Sequence, residues 1–197
     1  DDISLKDRFL LQHKYLEENQ DVLVLGTFYK IVGTNQDTSG FPVSHNEVKV
    51  FTLTGCPVGH PTVLIRKEVF TVHGIWYDQN YLHAEDYDLW VRILEVGKIE
   101  NIPQVLLEYR VHEEQVSSKE KEVQNNASDK ILVRLLRKSI SFDNKKYSQE
   151  FACKILLNRT SRISCGDLIL LKALINDLYS SNIQLKFYDN ASLEKLL

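Results

Sequence analysis

The chain has no methionine among its 197 residues, only 4 prolines and 8 glycines, and 3 cysteines, Cys56, Cys153 and Cys165. An odd number of widely spaced cysteines with no CxxC pair excludes a disulfide framework and a thiolate zinc site, and points to a reducing, cytoplasmic setting. The scarcity of proline and glycine excludes a collagen-like or low-complexity chain. Charge of one sign is also missing: 24 basic and 27 acidic residues leave a net charge of −3. Without a polybasic arm or an acidic tail, nucleic acid is not an expected partner. No apolar run approaches the roughly 20 residues that cross a bilayer, and DDISLKDRF has neither the apolar core of a signal peptide nor the pattern of a transit peptide. The absence even of an initiator methionine leads to the expectation that the chain is a piece of a longer polypeptide, with part of any site lying elsewhere.

What is present is enough for a core, with 43% apolar and 10% aromatic residues. Ser4 with Asp7 resembles a capping box, and Leu5, Phe9, Gln12 and Leu16 follow at helical spacing, predicting a helix over residues 5–18. VLVLGTFYKIV, residues 22–32, is β-branched and aromatic and reads as a largely buried strand. A loop over 33–42 follows, and then a second capping box, Ser44 to Glu47, opens a helix through about residue 53. GCPVGHP breaks regular structure before a strand at 62–66 and a short helix from Lys67. Residues 85–96 read as an amphipathic helix closed by Gly97. Residues 98–102 and 105–112 read as two strands split by Pro103. From about residue 118 the pattern becomes helical, with helices expected in the stretch before residue 139 and at 147–157, 165–181 and 190–197. The expected organisation is an α/β part over 1–118 and a helical extension over 119–197.

HAEDYDLWVRI, residues 83–93, places three carboxylates at a helix start. On a helical wheel the apolar stripe of Leu89, Trp90, Ile93 and Leu94 is centred near about 70°, and Asp86 falls at about 60°. Asp88 and Glu95 fall on the far side, at about 260° and about 240°, where solvated carboxylates are expected, while Glu85 sits at the stripe's margin at about 320°. Helix capping explains one acidic residue in a first turn. An inward-pointing Asp86 in a cleft would also be placed as a general base. Asp1-Asp2 suits a hard divalent cation, or is a pair of frayed terminal residues. In VLLEYRVH the side chains of Glu108, Arg110 and His112 share one strand face, which reads as a solvated sheet surface or as a metal ligand beside an anion clamp.

In this order the DD pair before a helix, EENQDVLVLGTFYKIVG, GHPTVLIRKEVF and HAEDYDLWVRILEVGKIENIPQVLLEYRVHEEQVS resemble the bacterial family-two glycosyltransferases of the GT-A fold. The resemblance covers residues 1 to about 118 and does not extend to the helical tail. It implies an α/β, partial GT-A fold with a mixed sheet, lacking the N-terminal nucleotide-binding half. It also implies an inverting transfer from a nucleotide-diphospho-sugar donor to a glycan or lipid-linked acceptor, in cell-surface polysaccharide or lipopolysaccharide synthesis. Such enzymes act at the cytoplasmic face of the inner membrane, with peripheral membrane association.

On the same resemblance Asp1 corresponds to the last Asp of a D-x-D motif that binds Mn²⁺ or Mg²⁺, and its first Asp is absent from this chain. Asp2 is the acidic residue that often follows, and His112 contributes to the metal site. Glu85-Asp86 is the ED pair, with Asp86 the base. Arg110 would clamp the departing diphosphate, and His60 lies in a segment that approaches the active site, as a substrate-binding residue or as a structural histidine of the loop. Without the nucleotide-binding half the 197 residues alone are expected to be inert. Two alternatives use the same pattern: a sugar-phosphate nucleotidyltransferase-like enzyme, and a non-catalytic scaffold whose helical tail binds a partner.

Overall fold

The computed structural model of the chain describes residues 2–32, 40–110, 120–140, 146–160 and 162–197. A two-residue strand β1 (Ile3–Ser4) leads to helix α1 (Arg8–Glu18) and the long strand β2 (Val22–Val32), whose first six residues are buried. Helix α2 (His45–Phe51) follows, then a 3-10 turn (His60–Thr62), strand β3 (Leu64–Ile65) and helix α3 (Glu68–Thr71). A second 3-10 turn (Gln79–Tyr81) precedes α4 (Glu85–Ile93) and strand β4 (Lys98–Arg110). Four helices complete the described chain: α5 (Lys121–Ser139), α6 (Gln149–Leu156), α7 (Cys165–Leu185) and α8 (Asn190–Leu196).

The result is an α/β structure with a mixed sheet in the order β1-β4-β2-β3. β2 and β4 run parallel over most of their length, while β1 and β3 add antiparallel edges. A parallel pair needs a long crossover, and everything from α2 to α4 is that crossover. Gly26 marks where β2 is approached most closely, since a methyl there would lie 2.1 Å from Asn101 Oδ1 and 2.6 Å from Val58. The Asn101 carboxamide so placed donates to the carbonyls of Pro42 at 2.7 Å and Pro57 at 3.1 Å, tying two loops of the crossover to the sheet.

Three packed layers carry the burial. Leu23, Val24, Leu89, Trp90, Ile93 and Ile99 join α4 to the sheet. On the other side of α4, Ala84, Tyr87 and Val91 pack against Ala127, Ile131 and Leu135 of α5. Val50 and Leu53 pack with Leu132, Leu136, Phe151 and Leu174, so the helices after residue 120 share their apolar surface with α2 and α4. Each fully buried aliphatic side chain contributes roughly 1.5–3 kcal/mol of transfer free energy.

Several expectations from sequence change here. The Ser4–Asp7 capping box does not form, because Ser4 is paired with Leu107 in the sheet, and α1 begins at Arg8. Its buried face is Arg8, Gln12 and Leu16, leaving Phe9 exposed. The Ser44–Glu47 capping box is present as expected. Pro103 does not split β4: Ile102 pairs with Thr27 and Val105 with Phe28, so Pro103 and Gln104 are absorbed as a bulge, where a residue without an N–H is tolerated. α4 ends at Ile93 rather than residue 96. Gly97 is required by packing, since a methyl there would lie 2.3 Å from Leu23.

The largest correction concerns Asp88. It is fully buried rather than solvated, held by Arg92 at 2.7 Å and Arg134 at 2.6 Å. The wheel identifies the face of α4 turned away from the sheet, but α5 covers that face and brings Arg134 with it. Glu95, seven residues further on and just past the end of α4, is half-exposed and pairs with Lys138 of α5 at 2.5 Å.

Candidate active site

The N-terminus of α4 is set by a left-handed residue, His83, with φ of 65°, followed by Ala84 as N-cap with no side-chain cap. A non-glycine residue in that region costs on the order of 1–3 kcal/mol and persists only where its surroundings impose it. Here Gln124 of α5 donates to the His83 carbonyl at 2.9 Å, so the turn is braced from the helical segment. The turn delivers Asp86 into a largely buried position. Its Oδ1 accepts from the Tyr87 N–H at 2.8 Å, and its Oδ2 lies 3.7 Å from Cys56 Sγ.

Burial is the largest influence on Asp86 and pushes its carboxyl above the usual range, while the nearby His60 imidazole acts in the opposite direction. Burial, reinforced by the Asp86 charge, holds the Cys56 thiol well above its ordinary value, so it is a neutral donor rather than a thiolate. Glu85 Oε2 is shielded from solvent and has no hydrogen-bond partner among the described residues.

His60 is presented by a turn fastened by four hydrogen bonds, two from α1, one from β2 and one within the turn. Arg8 donates to the Pro61 carbonyl at 2.8 Å, and Gln12 to the Thr62 carbonyl at 2.9 Å. The Thr62 hydroxyl donates to the Gly59 carbonyl at 2.7 Å and accepts from the Thr27 N–H at 3.1 Å. The imidazole Nε2 meets the Tyr77 hydroxyl at 2.8 Å, and the ring stands edge-on to Tyr77 and Trp90. The buried polar pair Arg8 and Gln12 is thus explained by the loop that carries His60.

Asp86 borders a cavity of about 250 Å³. Gly55, Cys56 and Tyr87 line it on the side of the crossover, and Gln124, Asn125 and Ser128 of α5 line it opposite. The structure therefore gathers Glu85, Asp86 and His60 around one helix end, together with Cys56, Tyr77 and the α5 residues, which sequence reasoning did not single out. Only the run of amides and a hydroxyl in QNNAS hinted at a polar face there, and nothing in the sequence indicated what it would meet.

Asp2 and Arg110 form a second group at the sheet edge, where β1 pairs with β4 and the Arg110 N–H donates to Asp2 Oδ1 at 3.1 Å. Asp1 and His112 lie outside the described residues. Among the described residues no three His, Cys, Asp or Glu side chains converge as a metal site, so the described donors do not by themselves make the expected cation site. No helix among the described residues is long and apolar enough to cross a membrane.

No family profile matches the chain. It is similar to an uncharacterized glycosyltransferase of Haemophilus influenzae, 29% identical over 59% of this chain and 40% of that protein. It is also similar to the amylovoran biosynthesis glycosyltransferase AmsE of Erwinia amylovora, 30% identical over 60% of this chain and 45% of that protein. The O-antigen biosynthesis glycosyltransferase WbnJ of Escherichia coli is 34% identical over 57% of this chain and 45% of its own length. The chain spans less than half the length of these relatives. These relatives are glycosyltransferases by name, and the α/β architecture of the chain is compatible with part of a nucleotide-sugar transferase domain.

Proposed function

We propose that the chain is the acceptor side of a GT-A glycosyltransferase of family two, which moves a sugar from a nucleotide-diphospho-sugar to an acceptor hydroxyl with inversion. The observation that carries this reading is Asp86: a largely buried carboxylate at a helix end, opening onto a polar cavity and raised by burial toward working pH. Asp86 takes the proton of the attacking hydroxyl as that oxygen bonds to the anomeric carbon and the nucleoside diphosphate leaves from the opposite face. One displacement inverts the centre. A retaining mechanism would need a second carboxylate as nucleophile. Glu85 is the other carboxylate at the site, and its shielded oxygen is read as a structural neighbour of the base.

Asp1 and His112 are proposed to hold Mn²⁺ or Mg²⁺, which would supply charge stabilisation to the departing diphosphate. Asp2 and Arg110 line the same edge, and His60 is proposed as a substrate-binding residue beside Asp86. The nucleotide-binding half is assigned to chain outside these residues. The two relatives named for amylovoran and O-antigen biosynthesis support a surface-glycan setting; a glycan or lipid-linked acceptor handled at the cytoplasmic face of a membrane belongs to the same proposal.

The test is Asp86→Asn in the full-length protein. Loss of a general base lowers transfer by about 10² to 10⁴-fold. Stability should move the other way. The protonated form of a carboxyl with a raised native pKa contributes stability below its unfolded value of 3.8, and this is lost as pH rises through the native value. Asn removes the buried charge, so at neutral pH the variant should be as stable as the parent or more so. Chelation should abolish transfer, and Mn²⁺ or Mg²⁺ should restore it. Undiminished transfer by Asp86→Asn would overturn the assignment.

A further inference from the structure

The cavity beside Asp86 has a composition that says what it takes. At about 250 Å³ it is smaller than the roughly 300 Å³ at which pockets for drug-sized ligands begin, so it has room for one sugar ring and not for a nucleotide sugar. Its one permanent cation among the lining residues is Arg159, and that guanidinium is already engaged by the Asp129 carboxylate and donates to the Asn125 carbonyl at 3.1 Å. An anionic ligand is therefore offered no unpaired permanent charge. What the wall does offer is a carboxamide from Asn125 and a hydroxyl from Ser128. The Ser128 hydroxyl donates to the Gln124 carbonyl at 2.9 Å and keeps its lone pairs as acceptors. Leu157 and Ala84 add apolar surface for the C–H face of a ring.

We propose that this cavity is the subsite for a neutral acceptor sugar and that Asn125 and Ser128 on α5 select it, with Gln124 a positioning residue that braces the turn before Asp86. The helical segment thereby supplies the acceptor-reading wall of the site, across from the carboxylate that would take the hydroxyl proton. The assignment rests on the transferase reading for the word acceptor, while the sugar site itself rests on the cavity alone.

The experiment measures binding of methyl glycosides of glucose, galactose, N-acetylglucosamine and N-acetylgalactosamine to the full-length protein by saturation-transfer NMR. At least one glycoside is expected to bind. Asn125→Ala with Ser128→Ala is expected to weaken it about tenfold, each single variant by about threefold, from the loss of neutral hydrogen bonds. Binding of UDP, GDP and dTDP should be unchanged in the same variants. The single variants at half-buried positions carry the same readout if the double variant does not fold. The proposal is overturned if no glycoside of the set binds, or if binding is indifferent to both substitutions. If glycosides bind with this dependence while the full-length protein turns over no nucleotide sugar, the transferase reading falls and the sugar site stands. If transfer depends on Asp86 while these variants bind glycosides as the parent does, the transferase stands and the subsite is removed.

Discussion

Replacing Asp88 by Ala tests whether α5 is seated on α4 as described. The Asp88 carboxylate is fully buried and accepts from Arg92 Nε at 2.7 Å and from Arg134 at 2.6 Å. Charged hydrogen bonds contribute about 1.5–3 kcal/mol each, so the two together set a ceiling of about 6 kcal/mol. The arginine side chains are 27% and 30% exposed, so once released they can turn to water instead of remaining as buried unpaired charges. That relief brings the expected cost of Asp88→Ala to about 3 kcal/mol. Arg134→Ala leaves Asp88 its Arg92 partner and should cost about 2 kcal/mol. The double variant should cost less than the sum, with a coupling above about 1 kcal/mol, since the two side chains are in direct contact.

Urea unfolding followed by the fluorescence of buried Trp90 and by circular dichroism provides the numbers, with coincidence of the two curves checking two-state behaviour. For a domain of this size a 3 kcal/mol loss corresponds to a fall in Tm of roughly 6–12 °C. A cost below about 1 kcal/mol for Asp88→Ala, or a coupling energy near zero, would refute the seating of α5 on α4.

Other consequences are as specific. Gly26→Ala should destabilise by about 1–3 kcal/mol, because the new methyl would lie 2.1 Å from Asn101 Oδ1 and displace the carboxamide from the Pro42 and Pro57 carbonyls; a loss under 0.5 kcal/mol in denaturant titration would contradict that packing. His60→Ala should shift the acid limb of the transfer pH profile upward. Asp86 must be ionised to act, burial raises its pKa, and His60 is the largest influence holding it down, so removing that side chain lets it rise further. An acid limb that stays in place or moves downward would separate His60 from Asp86.

How much of this was legible in the sequence differs residue by residue. β2 and the capping box at Ser44 were read from local pattern, because a run of β-branched residues and an N-cap hydroxyl are decided by their own neighbours. The inward bearing of Asp86 was also legible, since the apolar stripe of α4 packs on the sheet and Asp86 shares its bearing. Asp88 was not. A single helix shows which face is apolar, but not whether a second helix covers the polar one, and Arg134 lies 46 residues away in the chain.

The same limit governs the site. Asp1 and His112 lie outside the described residues, so the metal expectation rests on resemblance alone. Cys56, Tyr77, Gln124, Asn125 and Ser128 carry no spacing signal, because they meet Asp86 only through the crossover and the packing of α5. The sequence by itself determined the long strand β2, the capped start of α2 and the bearing of one carboxylate, all properties of short-range pattern. Only the tertiary structure decided that Asp88 is sealed by two arginines while Asp86 opens onto a polar cavity, because both outcomes depend on where α5 lies across α4.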